Sequence, residues 1–269
     1  MKGKVSHGRV AVSASVVALL GLVTVAFGAK LTTKVKTVPL PPDDEPHSVT
    51  AKCPKASKAS GGGFQVRDPS TDLAGATYPT ARRKWTSVAS RSSLFKSGSE
   101  LTVAVRCLKD ARVKTRSKTA PLPGDENPHS VTAVCPKGTK VAGGGIRLAD
   151  PGDNILGTFP AGKRKWTAVA NRGSVVSSEL TAIARCLEDV KVTARSETGP
   201  LLDDETPHTV TARCPKGTRV LGGGAETGPT AGSVRGSYPV GVRRWRTIGR
   251  VIAVGDIELT AHVLCLKKR

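Results

Sequence analysis

Apolar and polar residues alternate in short runs along most of this chain. In "HSVTAKC" (47–53), Val49, Ala51 and Cys53 fall on one side, with Ser48, Thr50 and Lys52 on the other. "LTVAVRC" (101–107) has the same arrangement, with Leu101, Val103, Val105 and Cys107 as the apolar set. A period of two belongs to a half-buried β-strand, whose successive side chains point to opposite faces. "KVKTV" (34–38), "RVKTR" (112–116) and "DVKVT" (189–193) read as further strands. Glycine and proline punctuate the remainder, and no stretch beyond residue 30 carries an apolar stripe at helical spacing. The pattern predicts an all-β body.

One segment breaks the pattern. From Val10 to Ala29 run twenty residues without a charge, preceded by Lys2, Lys4 and Arg9. A basic stretch followed by an apolar one has the form of an export signal, and this run is also long enough to span a bilayer as a helix. Residues 1–29 therefore read as a signal peptide or an N-terminal membrane anchor. Either reading puts residues 30–269 outside the cytoplasm, secreted or held at the outer face of the cell membrane, because the positive flank stays inside.

Beyond the leader the chain repeats itself. "EPHSVTAKCPK" (45–55) recurs as "NPHSVTAVCPK" (127–137) and "TPHTVTARCPK" (206–216). Triple glycines begin at 61, 143 and 222; "TYP", "TFP" and "SYP" end at Pro79, Pro160 and Pro239; tryptophans stand at 85, 166 and 245; "ELT" begins at 100, 179 and 258. Order and spacing agree throughout, so three copies of about 80 residues are expected, over 30–110, 111–189 and 190–269. Each copy should hold about four or five strands. The copies either hang as three beads or close around a pseudo-three-fold axis as a β-prism or trefoil-like body. Short, strand-like links such as "CLKDARVKT" favour the closed form.

Two cysteines occur per copy: 53 and 107, 135 and 186, 214 and 265. Their spacing suits neither a zinc knuckle nor a CxxC redox motif, and in an oxidising compartment they read as three structural disulfides. Symmetry leaves two schemes: each copy closes on itself, or each late cysteine bonds the next early one (107–135, 186–214, 265–53). Closing a loop of about fifty residues contributes ~4 kcal/mol in the chain-entropy model. With only eight aromatic residues beyond Ala29, such staples matter. The glycine runs lack the Gly-Lys-Ser/Thr ending of a phosphate loop, so a bulge or a close approach of two backbones is expected there.

Charge changes the picture. The formal net charge is +21, and three of the cations lie in the leader. Arg82, Arg83 and Lys84 precede the first Trp; Lys163, Arg164 and Lys165 precede the second; Arg243 and Arg244 precede the third, with Arg246 after it. Clustered cations suit phosphate or carboxylate groups of a polymer, and three copies would add avidity. Trp85, Trp166 and Trp245 themselves read as core residues with the cations on the solvated face. His47, His129 and His208 each follow a Pro and an acidic cluster (Asp43, Asp44, Glu45; Asp125, Glu126; Asp203, Asp204, Glu205). A strand-entry turn accounts for them better than a metal site, since no ligand spacing within a copy supports one. No nucleophile motif is present, every prominent polar group except His262 is triplicated, and no cofactor is implied, so an enzyme is not expected. No nucleic-acid module with a sequence signature occurs either.

The unit V-T-A-x-C-P-K, then G-G-G, Y-P, W, L-T and C, resembles repeats of uncharacterised exported proteins of actinobacteria, over nearly all of residues 45–267. The resemblance implies secretion and a β-rich disulfide module and carries no activity with it. Ala56, where the other copies have Gly138 and Gly217, departs from the pattern and leaves the turn after Pro54 open. The expected function is that of a cell-surface binding or adhesion protein engaging an anionic envelope polymer or glycan through repeated basic faces. The competing expectation is a structural or protein–protein interaction module of the envelope. Membrane contact is expected only through residues 10–29, if these are retained.

Overall fold

A computed structural model describes residues 30–94, 98–125, 127–173, 178–188, 190–204, 206–228, 232–252 and 255–267. Residues 1–29, read from the sequence as a signal peptide or membrane anchor, lie outside the described residues. The first copy supplies β1 (Leu31–Leu40), β2 (His47–Lys52), β3 (Ser57–Val66), β4 (Asp72–Ala81), β5 (Lys84–Arg91) and β6 (Ser99–Lys109). The second supplies β7 (Val113–Leu122), β8 (His129–Val134), β9 (Thr139–Leu148), β10 (Asn154–Pro160), β11 (Lys165–Asn171) and β12 (Ser178–Glu188). The third supplies β13 (Val192–Leu201), β14 (His208–Arg213), β15 (Thr218–Thr227), β16 (Gly232–Val240), β17 (Arg244–Val251) and β18 (Ile257–Lys267).

Six described strands per copy exceed the four or five expected. The glycine-rich strand (β3, β9, β15) is the one that alternation does not reveal, because it is buried almost without interruption. Such a run, covered on both faces, carries no period of two, and glycine is a poor strand former on its own.

The strands form three antiparallel sheets of six, and no copy owns a sheet. Their orders are β1-β6-β3-β16-β17-β14, β2-β5-β4-β9-β12-β7 and β13-β18-β15-β10-β11-β8. Every copy sends its first, third and sixth strands to one sheet and its second, fourth and fifth to the next. Copies 1 and 2, 2 and 3, and 3 and 1 therefore share sheets in a cycle. This is the closed, prism-like arrangement; separate beads are ruled out. The joints between copies are narrow: β4–β9, β10–β15 and β16–β3 each meet through two residue pairs.

The triple glycines make those joints possible, each position for its own reason. The register slips at Ser60, Ala142 and Leu221, leaving a bulge just before the glycines. A Cβ on Gly61 would stand 2.8 Å from the Cα of Gly222, one on Gly143 2.8 Å from that of Gly61, and one on Gly222 3.0 Å from that of Gly143. The three first glycines thus meet each other at the axis. A Cβ on Gly62, Gly144 or Gly223 would overlap the ring of Trp85, Trp166 or Trp245. On Gly63, Gly145 or Gly224 it would overlap the carbonyl oxygen of Ser237, Thr77 or Thr158 in the neighbouring copy. The three Trp rings are fully buried, as expected of core residues. Each indole N–H donates to a hydroxyl eight residues earlier: Thr77 at 2.9 Å, Thr158 at 2.8 Å and Ser237 at 2.8 Å. That bond explains why the T/S-Y/F-P motif keeps a constant distance from the Trp.

Disulfides join Cys53 to Cys107, Cys135 to Cys186 and Cys214 to Cys265. Each copy closes on itself, tying the end of its second strand to its sixth strand in the adjacent sheet. Three such bonds belong to an oxidising compartment.

The turn after Pro54 is the same as in the other copies. Ser57, Thr139 and Thr218 N–H each donate 3.2 Å to the carbonyl of Pro54, Pro136 and Pro215. Gly138 (φ 80°) and Gly217 (φ 78°) adopt the left-handed conformation, and Ala56 is held there too at φ 61°. An alanine pays ~1–2 kcal/mol in that region. Ala56→Gly is accordingly expected to stabilise the protein by about 0.5–1 kcal/mol, less whatever the freer unfolded chain gives back. Urea unfolding of the oxidised protein measures it.

Candidate functional site

Because the strands of each copy run back and forth, the connections gather at two ends of the prism. One end holds the turn after each Cys-Pro, the hairpin turn between the fourth and fifth strands, and the link to the next copy. The other holds the remaining connections: first to second, third to fourth and fifth to sixth strand.

All three basic segments lie at the first end, on hairpin turns fixed by the same pair of backbone hydrogen bonds. Cys53, Cys135 and Cys214 N–H donate to the carbonyls of Arg83, Arg164 and Arg243, each at 2.8 Å. Ala59, Val141 and Val220 N–H donate to those of Arg82, Lys163 and Val242 at 2.9, 3.0 and 2.9 Å. Arg82, Lys84, Lys163, Lys165 and Arg244 are exposed, while Arg83, Arg164 and Arg243 are half-buried. Val242 occupies the place of Arg82 and Lys163 and is 61% exposed. Arg246 stands off the turn: it lies on β17 opposite Tyr238 and Thr211, half-buried, on the strand face it shares with Arg244.

The same end contains cations that sequence reasoning passed over. Lys55, Lys137 and Lys216 are exposed in the Cys-Pro turns, and Lys58, Lys140 and Arg219, half-buried, stand three residues further on at the start of β3, β9 and β15. Their signal was a cation at both positions of C-P-K-x-x-K/R in all three copies. No acid occurs in 53–58, 80–84 or the equivalent stretches. The described acids of this end are in the links and are paired: Asp110 with Lys109 at 3.8 Å and Glu188 with Lys114 at 2.7 Å. The Lys114 ammonium holds the Glu188 carboxyl below its usual range. Among the described residues no ion pair engages any of the turn cations.

Two buried arginines, also missed, draw the copies together beneath the turns. Arg185 of the second copy donates through Nε to the carbonyl of Ala59 at 2.8 Å and through Nη2 to that of Arg82 at 3.2 Å. Arg106 of the first donates through Nε to the carbonyl of Val220 in the third at 2.9 Å. Burial pushes both guanidinium groups down to about 10, and the Arg219 charge adds to the effect at Arg106. The third copy has Leu264 at this place, opposite Gly222 as Arg106 is opposite Gly61. Leu31, Leu108, Leu187, Leu221 and Leu266, from all three copies, pack in one apolar cluster. The basic turns of the three copies are therefore parts of one surface.

The opposite end is acidic, and its histidines do not converge. His47, His129 and His208 begin three separate outer strands, β2, β8 and β14. Each Nε2 bonds its own carboxylate four residues earlier: Asp43 at 2.8 Å, Asp125 at 2.7 Å and Asp204 at 2.9 Å. The same carboxylates accept the N–H two residues on, from Glu45, Asn127 and Thr206, closing a strand-entry turn. Glu126 and Glu205 lie outside the described residues. No set of three metal-ligating side chains converges among the described residues. His262, on β18, stacks on Phe159 with ring centroids 5.1 Å apart and reaches Glu226 at 3.3 Å.

The histidine bond, foremost, holds Asp43, Asp125 and Asp204 below the usual carboxylate range, Asp204 at about 2. A carboxyl with a depressed folded-state pKa contributes stability above its unfolded value of 3.8, and that contribution is lost as pH falls through the folded value. Replacing all three by Asn is expected to flatten the fall in unfolding midpoint between about pH 4 and about pH 2. A urea series at several pH values checks it.

The basic end offers clustered cations to an extended anion, and among the described residues no fully exposed aromatic ring stands beside them as a stacking face for a sugar. Compared with known proteins, the chain matches no family model and no curated sequence.

Proposed function

We propose that this is an exported, non-enzymatic binding protein of the cell surface that engages an anionic envelope polymer or glycan. The observation that supports this reading most is the gathering of the three basic turns, with the lysines of the Cys-Pro turns, on a single acid-poor end. Charge that merely kept the protein soluble would be spread over the molecule; here the described acids are concentrated at the far end instead. Several anchored clusters bind a repeating anion with avidity that one cluster lacks.

The test is sedimentation of the oxidised 30–269 fragment with purified cell envelope across a salt series. A companion variant carries neutral residues at 82–84, 163–165, 243 and 244. Binding is expected to fall at least about tenfold between about 0.05 M and about 0.5 M salt, as exposed charges are screened, and to vanish in the variant. Binding indifferent to both changes would sink the proposal in favour of a neutral glycan or a protein partner.

A further inference from the structure

We infer that the anionic surface met by the basic end is the headgroup layer of a phospholipid bilayer. This rests on the reading that the basic end is the anion-binding site and goes beyond it by adding a second anionic partner. Ala29, the last residue of the uncharged run, is followed at once by Lys30, whose carbonyl accepts the N–H of Lys109 at 3.0 Å. Leu31 is already in the apolar cluster that joins the three copies, and only 7% exposed. No linker separates the uncharged run from the body, and the junction is at the basic end. When that run is seated in a membrane, the basic end is within a residue or two of the headgroups.

The rest of the end suits that position. Pseudo-three-fold symmetry sets the three hairpin turns at one height, so a plane of phosphates can touch all of them at once. Val242, exposed at the tip of the third turn, supplies an apolar side chain where the other two have a cation. The acidic end, with Asp43, Asp125 and Asp204, then points away from the anionic surface, the orientation that charge favours. Cations this close to an anionic leaflet act as a second attachment, additional to any helix.

The test separates this inference from the broader reading. The 30–269 fragment, which contains every described strand, all three disulfides and the core without residues 1–29, is floated with vesicles. One set is phosphatidylcholine alone and the other has about a third phosphatidylglycerol, a content that creates a substantial surface potential. A lipid-free anionic polymer, polyglycerol phosphate, is titrated in parallel. Binding to the anionic vesicles and not to the phosphatidylcholine ones is expected, and it should disappear at high salt. Each surface cation is worth about a factor of five, so Arg82→Gln, Lys84→Gln, Lys163→Gln and Lys165→Gln together should lower partitioning at least a hundredfold, ~10². Arg67→Gln with Arg147→Gln, at the far end, should change nothing. Binding to the polymer without binding to vesicles overturns the bilayer inference and leaves the broader reading standing. Binding to neither overturns both. Vesicle binding that ignores lipid charge, or survives the fourfold variant, also overturns it.

Discussion

Gly145→Ala is expected to cost about 4 kcal/mol or more, at the extreme of single-residue overpacking. The added methyl would overlap the carbonyl oxygen of Thr77 and stand 2.7 Å from the Cα of Tyr78, both backbone atoms of the first copy. A clash with the end of a flexible side chain is relieved by a rotamer change. Here one of the two strands must withdraw, and β4 and β9 are joined by only the pairs Ala76–Arg147 and Thr77–Ile146. Opening that seam exposes the glycine strand of the second copy, which is buried on both faces. The contrast is Gly98→Ala, where a Cβ meets nothing within 4 Å and a near-neutral result is expected. Denaturant midpoints of the two oxidised variants decide it. A Gly145→Ala protein as stable as Gly98→Ala would mean that the joint between copies is looser than the contacts require.

Arg172→Val is expected to cost about 3–5 kcal/mol, while exchanging its whole buried set should cost far less. Arg172 lies 2.8 Å from Asp153, with both side chains almost fully buried, and 3.6 Å from the more exposed Asp150. The first copy has the same pair in Arg91 and Asp72, with the Ser99 hydroxyl donating to Asp72. The third copy has none of it: Gly232 stands opposite Val251, and Ile257 takes the place of Ser99 and Ser178. A Cβ on Gly232 would stand 2.7 Å from Cδ1 of Ile257, so the isoleucine fills the room left by the carboxylate. Two solutions to one site thus coexist in one chain, one ionic and one apolar. Removing only the arginine strands a carboxylate inside, whereas Asp153→Gly, Arg172→Val and Ser178→Ile together install the third copy's solution. That triple variant should recover to within about 2 kcal/mol of the parent, as apolar replacements of buried ion pairs do.

The pH dependence of the same cycle carries the mechanism. Burial pushes the carboxyls of Asp72 and Asp153 above the usual carboxylate range, against the pull of their arginines. A raised folded-state pKa favours the fold below the unfolded value of 3.8 and gives that advantage up as pH rises through the folded value. This is opposite in sign to the histidine-bonded carboxyls of the acidic end. In Arg172→Val the lone Asp153 can shed its charge by taking a proton, so the loss should shrink on acidification. The triple variant has no such carboxylate and should show no such recovery. A loss independent of pH would point to packing around the guanidinium instead of charge.

Strand type, copy number and the two cysteines of each copy were legible along the chain, because a period of two and a repeat of about 80 residues are local patterns. The buried Trp, too, followed from a shortage of other aromatic residues. The glycine strand was hidden: it is covered on both faces, so its side chains give no alternation, and its identity as a strand comes from the neighbours that cover it. Arg106 and Arg185 read as ordinary strand cations until the fold placed their guanidinium groups against carbonyls of another copy. Each of the three glycines looked alike, yet one faces the axis, one a Trp ring and one a neighbouring backbone. The basic turns were visible as charge, but their union with the Cys-Pro lysines at one end, and the start of the first strand at that same end, depend on how sheets are shared between copies. Periodicity and composition report what a residue does with its near neighbours in sequence. Closure around an axis is made by backbones far apart in the chain, through two residue pairs at each joint, and only their packing decides it.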